Sequence, residues 1–277
     1  MADIKMLTEK ATQMRKDIVT MICKSKSGHP GGSLSAADIV STLYFNEMNI
    51  DPKNPKMADR DRFVLSKGHA APVLYAALAE KGYFDRELLG TLRQFGSPLQ
   101  GHPDMRKLPG VDISTGSLGQ GLSVANGMAL SAKLDKKSYR VYALLGDGEV
   151  QEGQIWEAAM TAAHYKLDNV CAFLDSNNLQ IDGNVDKVMG VEPLDEKWRA
   201  FGWNVMVIDG HNFEEILGAL EAAKAHKGQP TMVIAKTTKG KGISFMENVC
   251  GFHGVAPTSE ETDKALEELS HVECCNN

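Results

Sequence analysis

The sequence lacks the features that mark a membrane protein or a nucleic-acid-binding protein. No apolar run approaches the roughly 20 residues that a membrane-spanning helix needs. No block of lysines and arginines stands out, and the formal net charge is −6, so a nucleic-acid-binding surface is not predicted. The N-terminal stretch is charged and amphipathic, unlike a secretory signal. These absences predict a cytoplasmic protein with no membrane or nucleic-acid partner.

Cysteine is scarce and shows no functional pattern. The five cysteines, at positions 23, 171, 250, 274 and 275, contain no CxxC pair and no zinc-site spacing. An odd number of unpatterned cysteines is typical of a reducing compartment. Neither a disulfide framework nor a structural zinc site is therefore predicted.

Helical and strand patterns alternate along most of the 277 residues. This alternation predicts an α/β fold with three layers, in which a mainly parallel sheet is flanked by helices. No low-complexity linker or repeat interrupts it, so residues 1–277 are expected to form a single domain, with 259–277 as a C-terminal helix and tail. The predicted strands are 62–66, 139–145, 170–174, 204–208 and 231–236. The predicted helices are 7–23, 36–45, 70–81, 86–92, 151–165, 194–201, 213–225, 258–269 and one ending near residue 134, with loops at 185–191 and 237–257.

The most informative stretch, residues 139–182, has the pattern strand, turn, helix, strand, turn. G-D-G (residues 146–148) follows the first strand, and D-S-N-N (residues 175–178) follows the second. Because parallel strands of such a unit end at the same edge, Asp147 and Asn177 should meet there. Their oxygens suit a hard cation such as Mg²⁺, and the glycines with the following helix suit an anion. The pattern predicts a metal–diphosphate site, although G-D-G alone is as often an ordinary turn.

Four of the eight histidines lie in loops, directly after glycine or after Gly-Phe: His29, His69, His102 and His253. Loops at the carboxyl edge of a parallel sheet gather around one crevice. Imidazoles there could donate hydrogen bonds to phosphate or hydroxyl oxygens and transfer protons, although each histidine alone could be a solvated loop residue. The glycine-rich turn 116–121 matches a dinucleotide-binding turn only loosely, so nucleotide binding is not predicted.

Six segments together resemble the N-terminal part of transketolase, a family of thiamine diphosphate (ThDP) enzymes. They occur in family order from about residue 5 to residue 257, at family-like spacings. The segments are G-H-P-G-G-S-L-S-A-A-D-I, R-D-R-F-V-L-S-K-G-H-A-A-P, G-H-P, S-T-G-S-L-G-Q-G-L-S-V-A-N-G-M-A, G-D-G-E-V-Q-E-G-Q-I-W-E-A and G-F-H-G-V-A-P.

The resemblance implies a role for each matching residue. The metal, Mg²⁺ or alternatively Ca²⁺ or Mn²⁺, would be bound by Asp147, Asn177 and the main-chain carbonyl of Leu179. The catalytic residues would be His29, His69, His102 and His253. The cofactor-binding residues would be His69, Gly116, Ser117, Leu118, Gly146, Asp147, Gly148, Glu149, Glu152, Asn177 and His253. Glu152 matches an acid of a carboxylate network across the family's subunit interface, or is an acid favoured at a helix start.

The resemblance also implies an incomplete enzyme. In the family the cofactor spans two domains, and this sequence matches only the diphosphate-binding one. We therefore expect the N-terminal subunit of a split transketolase, active only with a separate C-terminal chain that carries the pyrimidine-binding domain, in a dimer of heterodimers. The assembly would transfer a two-carbon ketol unit from a ketose or its phosphate to an aldose or its phosphate through a ThDP carbanion, as in pentose phosphate metabolism. The alternatives are a subunit of a deoxyxylulose-phosphate-type synthase, an enzyme for a specialised ketose, and a non-catalytic ThDP-binding subunit.

Overall fold

A five-stranded parallel sheet lies at the centre of the chain. The structure is a computed structural model that describes residues 2–275. Two further short strands, β4 and β5, pair with each other as an antiparallel hairpin. The strands are β1 (Arg62–Leu65), β2 (Val141–Gly146), β3 (Val170–Ser176), β4 (Leu179–Gln180), β5 (Gly183–Asn184), β6 (Asn204–Asp209) and β7 (Thr231–Lys236). The five strands of the parallel sheet lie in the order β1-β2-β3-β7-β6.

Helices cover both faces of the sheet. The described α-helices are α1 (Ile4–Ser25), α2 (Pro30–Ser35), α3 (Ala37–Thr42), α4 (Ala71–Lys81), α5 (Gly121–Leu134), α6 (Gly153–His164), α7 (Val185–Met189), α8 (Leu194–Ala200), α9 (Phe213–Ala225) and α10 (Ser259–Cys275). Within the described chain, none of these helices combines the length and the apolar character needed to cross a membrane.

Alternating strand residues separate the core into two layers. Tyr142 and Leu144 of β2 pack into the core that includes α1, α3, α4 and α9. Val141 and Ala143 of the same strand pack into the core on the other face, with α5, α6 and α8. Successive side chains of a strand point to opposite faces, so a strand buried on both sides must be apolar throughout. The predicted three-layer α/β fold with a parallel sheet is confirmed.

Several predicted boundaries differ from the structure. The predicted helix 36–45 stops at Thr42 and continues as a π-helical turn, Leu43–Glu47. The predicted helix 86–92 is a 3₁₀-helix, Arg86–Thr91. The prediction of a loop over 185–191 is wrong, because α7 forms there, and the side chain of Asn184 accepts a hydrogen bond at its start.

Three more segments were predicted differently. Helix α2 lies in the glycine-rich segment after His29, where Pro30 occupies the first helical position and fixes a helical φ. The predicted helix 151–165 begins at Gly153, after a 3₁₀ turn. Helix α10 reaches Cys275, so most of the predicted C-terminal tail is helical, and residues 276–277 lie outside the described residues.

The register of the sheet brings the carboxyl ends of three strands to one edge. Gly146, the last residue of β2, pairs with Asp175 of β3. Ser176, the last residue of β3, pairs with Lys236 of β7. The loops after these strands therefore start side by side, as the strand–turn–helix–strand pattern predicted.

Candidate functional site

A cleft of about 340 Å³ lies at this carboxyl edge. It brings together most of the residues predicted for the site, from loops far apart in the sequence. Ser117 is exposed and is not among the residues that line the cleft, whereas its two neighbours are. The predicted residues that line it are His29, His69, His102, Gly116, Leu118, Gly146, Asp147, Gly148, Glu149, Glu152, Asn177, Leu179 and His253.

The turns after β2 and β3 are joined through the carboxylate of Asp147. Its Oδ1 accepts a hydrogen bond from the main-chain N–H of Gly148 at 2.8 Å, and its Oδ2 accepts one from the N–H of Asn178. The amide oxygen of Asn177 accepts from the N–H of Leu179 at 3.1 Å. Asp147 and Asn177 therefore meet at the edge of the sheet, as the sequence predicted.

A buried lysine lies at the carbonyl that was predicted to bind the metal. Lys239, which is 3% exposed, donates from Nζ to the carbonyl oxygen of Leu179 at 2.7 Å and to Nδ1 of His253 at 2.9 Å. Burial, together with nearby Lys67, lowers its pKa to about 8. The Leu179 carbonyl therefore already accepts a hydrogen bond from a cationic group.

The oxygens at this position fit a hard divalent cation. Asp147 offers a carboxylate, Asn177 an amide oxygen and Leu179 a main-chain carbonyl, which are the oxygen ligands that Mg²⁺ and Ca²⁺ prefer. Burial, and then nearby Asp175, raise the pKa of Asp147 to about 6, so this carboxyl holds its proton more tightly than a free aspartic acid does. Among the described residues no group of three or more His, Cys, Asp or Glu is arranged to bind a metal.

Two glycines of the cleft lie where a neighbouring side chain approaches closely. A Cβ on Gly148 would lie 3.3 Å from Cβ of Gln180. Gly116 has φ +147°, and a Cβ there would lie 3.0 Å from the imidazole of His102. Side chains at these positions would fill the wall of the cleft, so the glycines leave main-chain groups accessible to a ligand.

Glu149 stabilises the turn around the cleft. Its carboxylate is 2% exposed and accepts hydrogen bonds from the hydroxyl of Ser66 and, at 3.0 Å each, from the N–H groups of Gly119 and Gly146. These three bonds tie β1, the glycine-rich turn and the end of β2 together. The predicted cofactor-binding role of Glu149 would consequently be exerted through the position of this turn.

Glu152 lies at the rim of the cleft. It is exposed, and it is the N-cap residue of α6, with no capping hydrogen bond from its side chain. Both of the roles predicted for it, at a subunit interface or as a helix-start acid, are compatible with this position.

Three of the four predicted histidines form a tight cluster. The ring centroids of His29 and His69 are 5.2 Å apart, those of His29 and His253 are 5.5 Å apart, and those of His69 and His253 are 5.3 Å apart. His102 lines the same cleft from the loop opposite Gly116. The expectation that these loops gather around one crevice is confirmed.

The clustered histidines are neutral near pH 7. Burial lowers the pKa of His29 to about 4, that of His253 to about 3 and that of His69 to about 2, and neighbouring cations lower each further. The pKa of His102 is lowered as well, again mainly by burial. A neutral ring has one N–H donor and one acceptor nitrogen. Nδ1 of His253 already accepts from Lys239, so the N–H on Nε2 of that ring remains for a bound ligand.

A buried ion pair behind the cleft has no counterpart in the sequence analysis. Lys67 Nζ contacts the carboxylate of Asp175 and donates to the carbonyl of Gly32 at 2.7 Å, while Asp175 also accepts from Ser35 at 2.6 Å and from Thr237. Side-chain exposure is 3% for the lysine and 0% for the aspartate. The S-K-G-H and D-S-N-N motifs contain both residues, but only the fold reveals their pairing.

Comparison with known proteins agrees with this geometry. Residues 7–272 match the family described as "Transketolase, thiamine diphosphate binding domain". The chain is 51% identical to a 6-deoxy-6-sulfo-D-fructose transketolase subunit of Clostridium sp. (strain MSTE9), over 95% of this chain and 96% of that protein. It is 44% identical to an apulose-4-phosphate transketolase subunit of Phocaeicola vulgatus, over 96% and 95% of the two chains. Among solved structures, transketolase from Campylobacter jejuni superposes with a TM-score of 0.92 at 39% identity.

The fold and the cleft define an α/β domain of the ThDP-binding type, in which the carboxyl edge of a parallel sheet carries the site. The chain belongs to the transketolase family. The match to the Campylobacter jejuni transketolase spans 97% of this chain but 43% of that one, whereas the two subunits named above are matched over nearly all of their length. The prediction of a ThDP-binding subunit of a transketolase, a transferase, is confirmed.

Proposed function

We propose that this chain binds the diphosphate of ThDP through a divalent cation and, with a partner chain, transfers a two-carbon ketol unit between sugars. One observation carries the proposal: the oxygens of Asp147, Asn177 and Leu179 lie in the same cleft as three clustered neutral histidines. A site for diphosphate alone would not need the histidines, which argues against a non-catalytic subunit.

The metal would be Mg²⁺, with Ca²⁺ or Mn²⁺ as alternatives of the same oxygen-ligand chemistry. Asp147, Asn177 and the Leu179 carbonyl would bind it, and the N–H groups near Gly148 would face the diphosphate. Lys239 would exchange its contact with the Leu179 carbonyl for a diphosphate oxygen. ThDP would supply the electron-accepting thiazolium, while the protein supplies binding, orientation and proton transfer.

The histidines would act as neutral hydrogen-bond partners. His69 and His253, which stack on each other near Lys239, would lie against the cofactor. His29 and His102 would face hydroxyl or carbonyl oxygens of the sugar. A neutral imidazole can donate a proton at one nitrogen and accept one at the other, which suits proton transfer between sugar oxygens and the site.

The partner would be a separate chain with the pyrimidine-binding domain. This chain matches 43% of the Campylobacter jejuni transketolase, and its relatives of equal length are named as subunits. We propose residues 1–277 as a single diphosphate-binding domain and a dimer of heterodimers in the cytoplasm as the assembly. Glu152, exposed at the rim of the cleft, is then a candidate for contact with another protomer.

The substrate would be a ketose that carries an anionic group, or the same ketose without that group. Two relatives are named for 6-deoxy-6-sulfo-D-fructose and for apulose 4-phosphate, and the first is the more similar of the two at 51% against 44% identity. A sulfonated ketose is therefore the first substrate to test, followed by apulose 4-phosphate and the ketose phosphates of pentose metabolism.

The test is a coupled aldehyde-release assay with this chain, its partner chain, ThDP and Mg²⁺, using each ketose as donor and an aldose or its phosphate as acceptor. Turnover is expected only when both chains are present. Asp147→Ala should abolish metal-dependent turnover, whereas Asp182→Ala, which removes an exposed carboxylate near the hairpin, should not. Full turnover by either chain alone, or by the Asp147 variant, would disprove the proposal.

A further inference from the structure

Arg93 is held in an unusual backbone conformation beside the cleft. It follows the 3₁₀-helix Arg86–Thr91 and has φ +58°, in the left-handed region that non-glycine residues rarely adopt. Its N–H donates to the carbonyl of Leu99 at 2.8 Å, which closes the loop between them. Such a conformation costs roughly 1 kcal/mol or more and persists where the surroundings fix it.

The guanidinium of Arg93 joins the loop before α2 to the loop that carries His102. It donates to the hydroxyl of Ser27 at 3.0 Å and to the carbonyl of Gly101 at 3.5 Å, and its Nη2 lies 3.4 Å from Nδ1 of His29. A Cβ on Gly101 would lie 3.0 Å from Cζ of the arginine. The absence of a side chain at position 101 therefore allows the guanidinium to reach His29.

The contact with Arg93 determines which nitrogen of His29 carries the proton. A guanidinium has five N–H donors and no acceptor, so Nδ1 of His29 must offer its lone pair. A neutral ring then carries its proton on Nε2. Within the described part of the chain, Nε2 of His29 has no hydrogen-bond partner, and the ring lines the cleft.

We propose that Arg93 is a positioning residue that fixes the Nε2–H tautomer of His29, so that this N–H points at an oxygen of the sugar substrate. The inference rests on the proposed function, because the donor matters only if a sugar occupies the cleft. It assigns to Arg93 an action through His29 rather than a contact with the reacting atoms.

The surroundings of His29 keep this ring neutral as well as oriented. The titratable and charged groups that face it are Arg93, Lys239, His69, His102 and His253. After burial, the guanidinium is the largest influence that lowers the pKa of His29. Without Arg93, we expect the ring to sample both tautomers and to accept a proton closer to neutral pH.

The tautomer can be measured directly by ¹⁵N–¹H correlation NMR of the full chain labelled with [¹⁵N]histidine, with and without the partner chain. His29→Gln identifies the signal. In the wild type, we expect the Nε2–H form and no titration of this ring between about pH 6 and 8. Arg93→Met should produce exchange between tautomers or titration in that range, and Arg93→Lys, which keeps a cationic donor, should partly restore the wild-type spectrum.

A control variant separates this contact from a general loss of positive charge. Arg106→Met removes a guanidinium from the same loop region, but Arg106 pairs with Asp104 and is 84% exposed in its side chain. It should leave the His29 spectrum unchanged. An Nδ1–H tautomer in the wild type would overturn the proposal, and so would an unchanged spectrum in folded Arg93→Met.

Kinetic measurements on the assembled enzyme then test whether the position of His29 set by Arg93 matters for turnover. Arg93→Met should lower kcat about tenfold or more, while the apparent affinity for ThDP stays within about twofold. Unchanged kcat with an altered tautomer would overturn the role in catalysis. If the assembly has no activity on any ketose while the tautomer is as expected, the proposed function fails and the contact between Arg93 and His29 stands, so the two failures are distinguishable.

Discussion

Asp147 should make the metal-free protein less stable as the pH rises. Its carboxyl is 4% exposed, and burial, reinforced by Asp175, raises its pKa from 3.8 to about 6. Because the folded chain binds this proton more tightly than the unfolded chain, the stabilisation is complete below pH 3.8 and is lost as the pH rises through about 6. A difference of about two pKa units corresponds to about 3 kcal/mol of unfolding free energy.

Asp147→Asn removes this pH dependence and adds a constant penalty. The amide oxygen can accept from only one of the two N–H groups, of Gly148 and Asn178, that the carboxylate now satisfies. Leaving the other unpaired costs roughly 1–3 kcal/mol at every pH. We therefore expect the variant to be less stable than the wild type near pH 4, and the difference to shrink or reverse by about pH 7.5.

Urea unfolding in chelator at several pH values measures this difference. Other groups titrate in both proteins, so the quantity to compare is the free energy of unfolding of the variant minus that of the wild type at each pH. Asp182→Asn, which removes one exposed carboxylate, is the control. In a second series with partner chain, Mg²⁺ and ThDP, ligand at about 100 times its Kd should stabilise the wild type by about 2.7 kcal/mol but not Asp147→Asn. A pH-independent difference between the two proteins, or an equal gain from the ligands, would refute the reasoning.

Substitutions at three further places in the chain test the buried ion pair, the glycines of α5 and the role of Lys239. Lys67→Met should destabilise the chain by about 3–5 kcal/mol in urea unfolding, because it leaves Asp175 charged and buried. Adding Asp175→Asn to this variant should recover part of the lost stability. If the effects of the two substitutions simply added, the pairing of Lys67 with Asp175 would be contradicted. In α5, Gly121→Ala should lower the free energy of unfolding by about 1–3 kcal/mol, because its Cβ would lie 2.8 Å from a backbone atom of Ser66. Gly127→Ala in the same helix meets open space and should raise the free energy of unfolding by about 0.5–1 kcal/mol. Thermal unfolding of the two variants measures this difference. Lys239→Met should reduce the coupling free energy between Mg²⁺ binding and ThDP binding, measured by calorimetric titration, by about 1–3 kcal/mol. An unchanged coupling free energy would count against the proposed movement of Lys239 from the Leu179 carbonyl to the diphosphate.

The sequence predicted the parts of the site that depend on topology. Parallel strands must end at one edge, so the positions of Asp147 and Asn177 followed from the strand–turn–helix–strand pattern alone. The position of His253 followed from the same rule, because its segment follows β7. His29 lies between α1 and α2, so the fold was needed to place it beside His253. These residues are 224 positions apart in the sequence, yet their rings are 5.5 Å apart.

The features of the site that depend on ion pairs between buried side chains could not be predicted from the sequence. Lysines are rarely buried, so nothing in the sequence distinguishes Lys67 or Lys239 from the surface lysines around them. Their burial depends on partners such as Asp175, 108 residues from Lys67. Helix α7 was missed for a different reason: it is five residues long, and its N-cap Asn184 lies in a segment without clear helical periodicity.

The distribution of charge is the reason that we expect a divalent cation at the proposed site. Lys67 is paired with Asp175, so its charge is already offset, and the neutral histidines contribute dipoles rather than charge. Lys239 is then the main uncompensated cation near Asp147, and its ammonium bonds to the Leu179 carbonyl and His253 rather than to that carboxylate. A diphosphate carries more negative charge than one ammonium can balance, and a divalent cation held by Asp147, Asn177 and the Leu179 carbonyl would supply the difference. Movement of Lys239 from that carbonyl to the diphosphate would leave the carbonyl free for the metal, so each ligand would favour binding of the other.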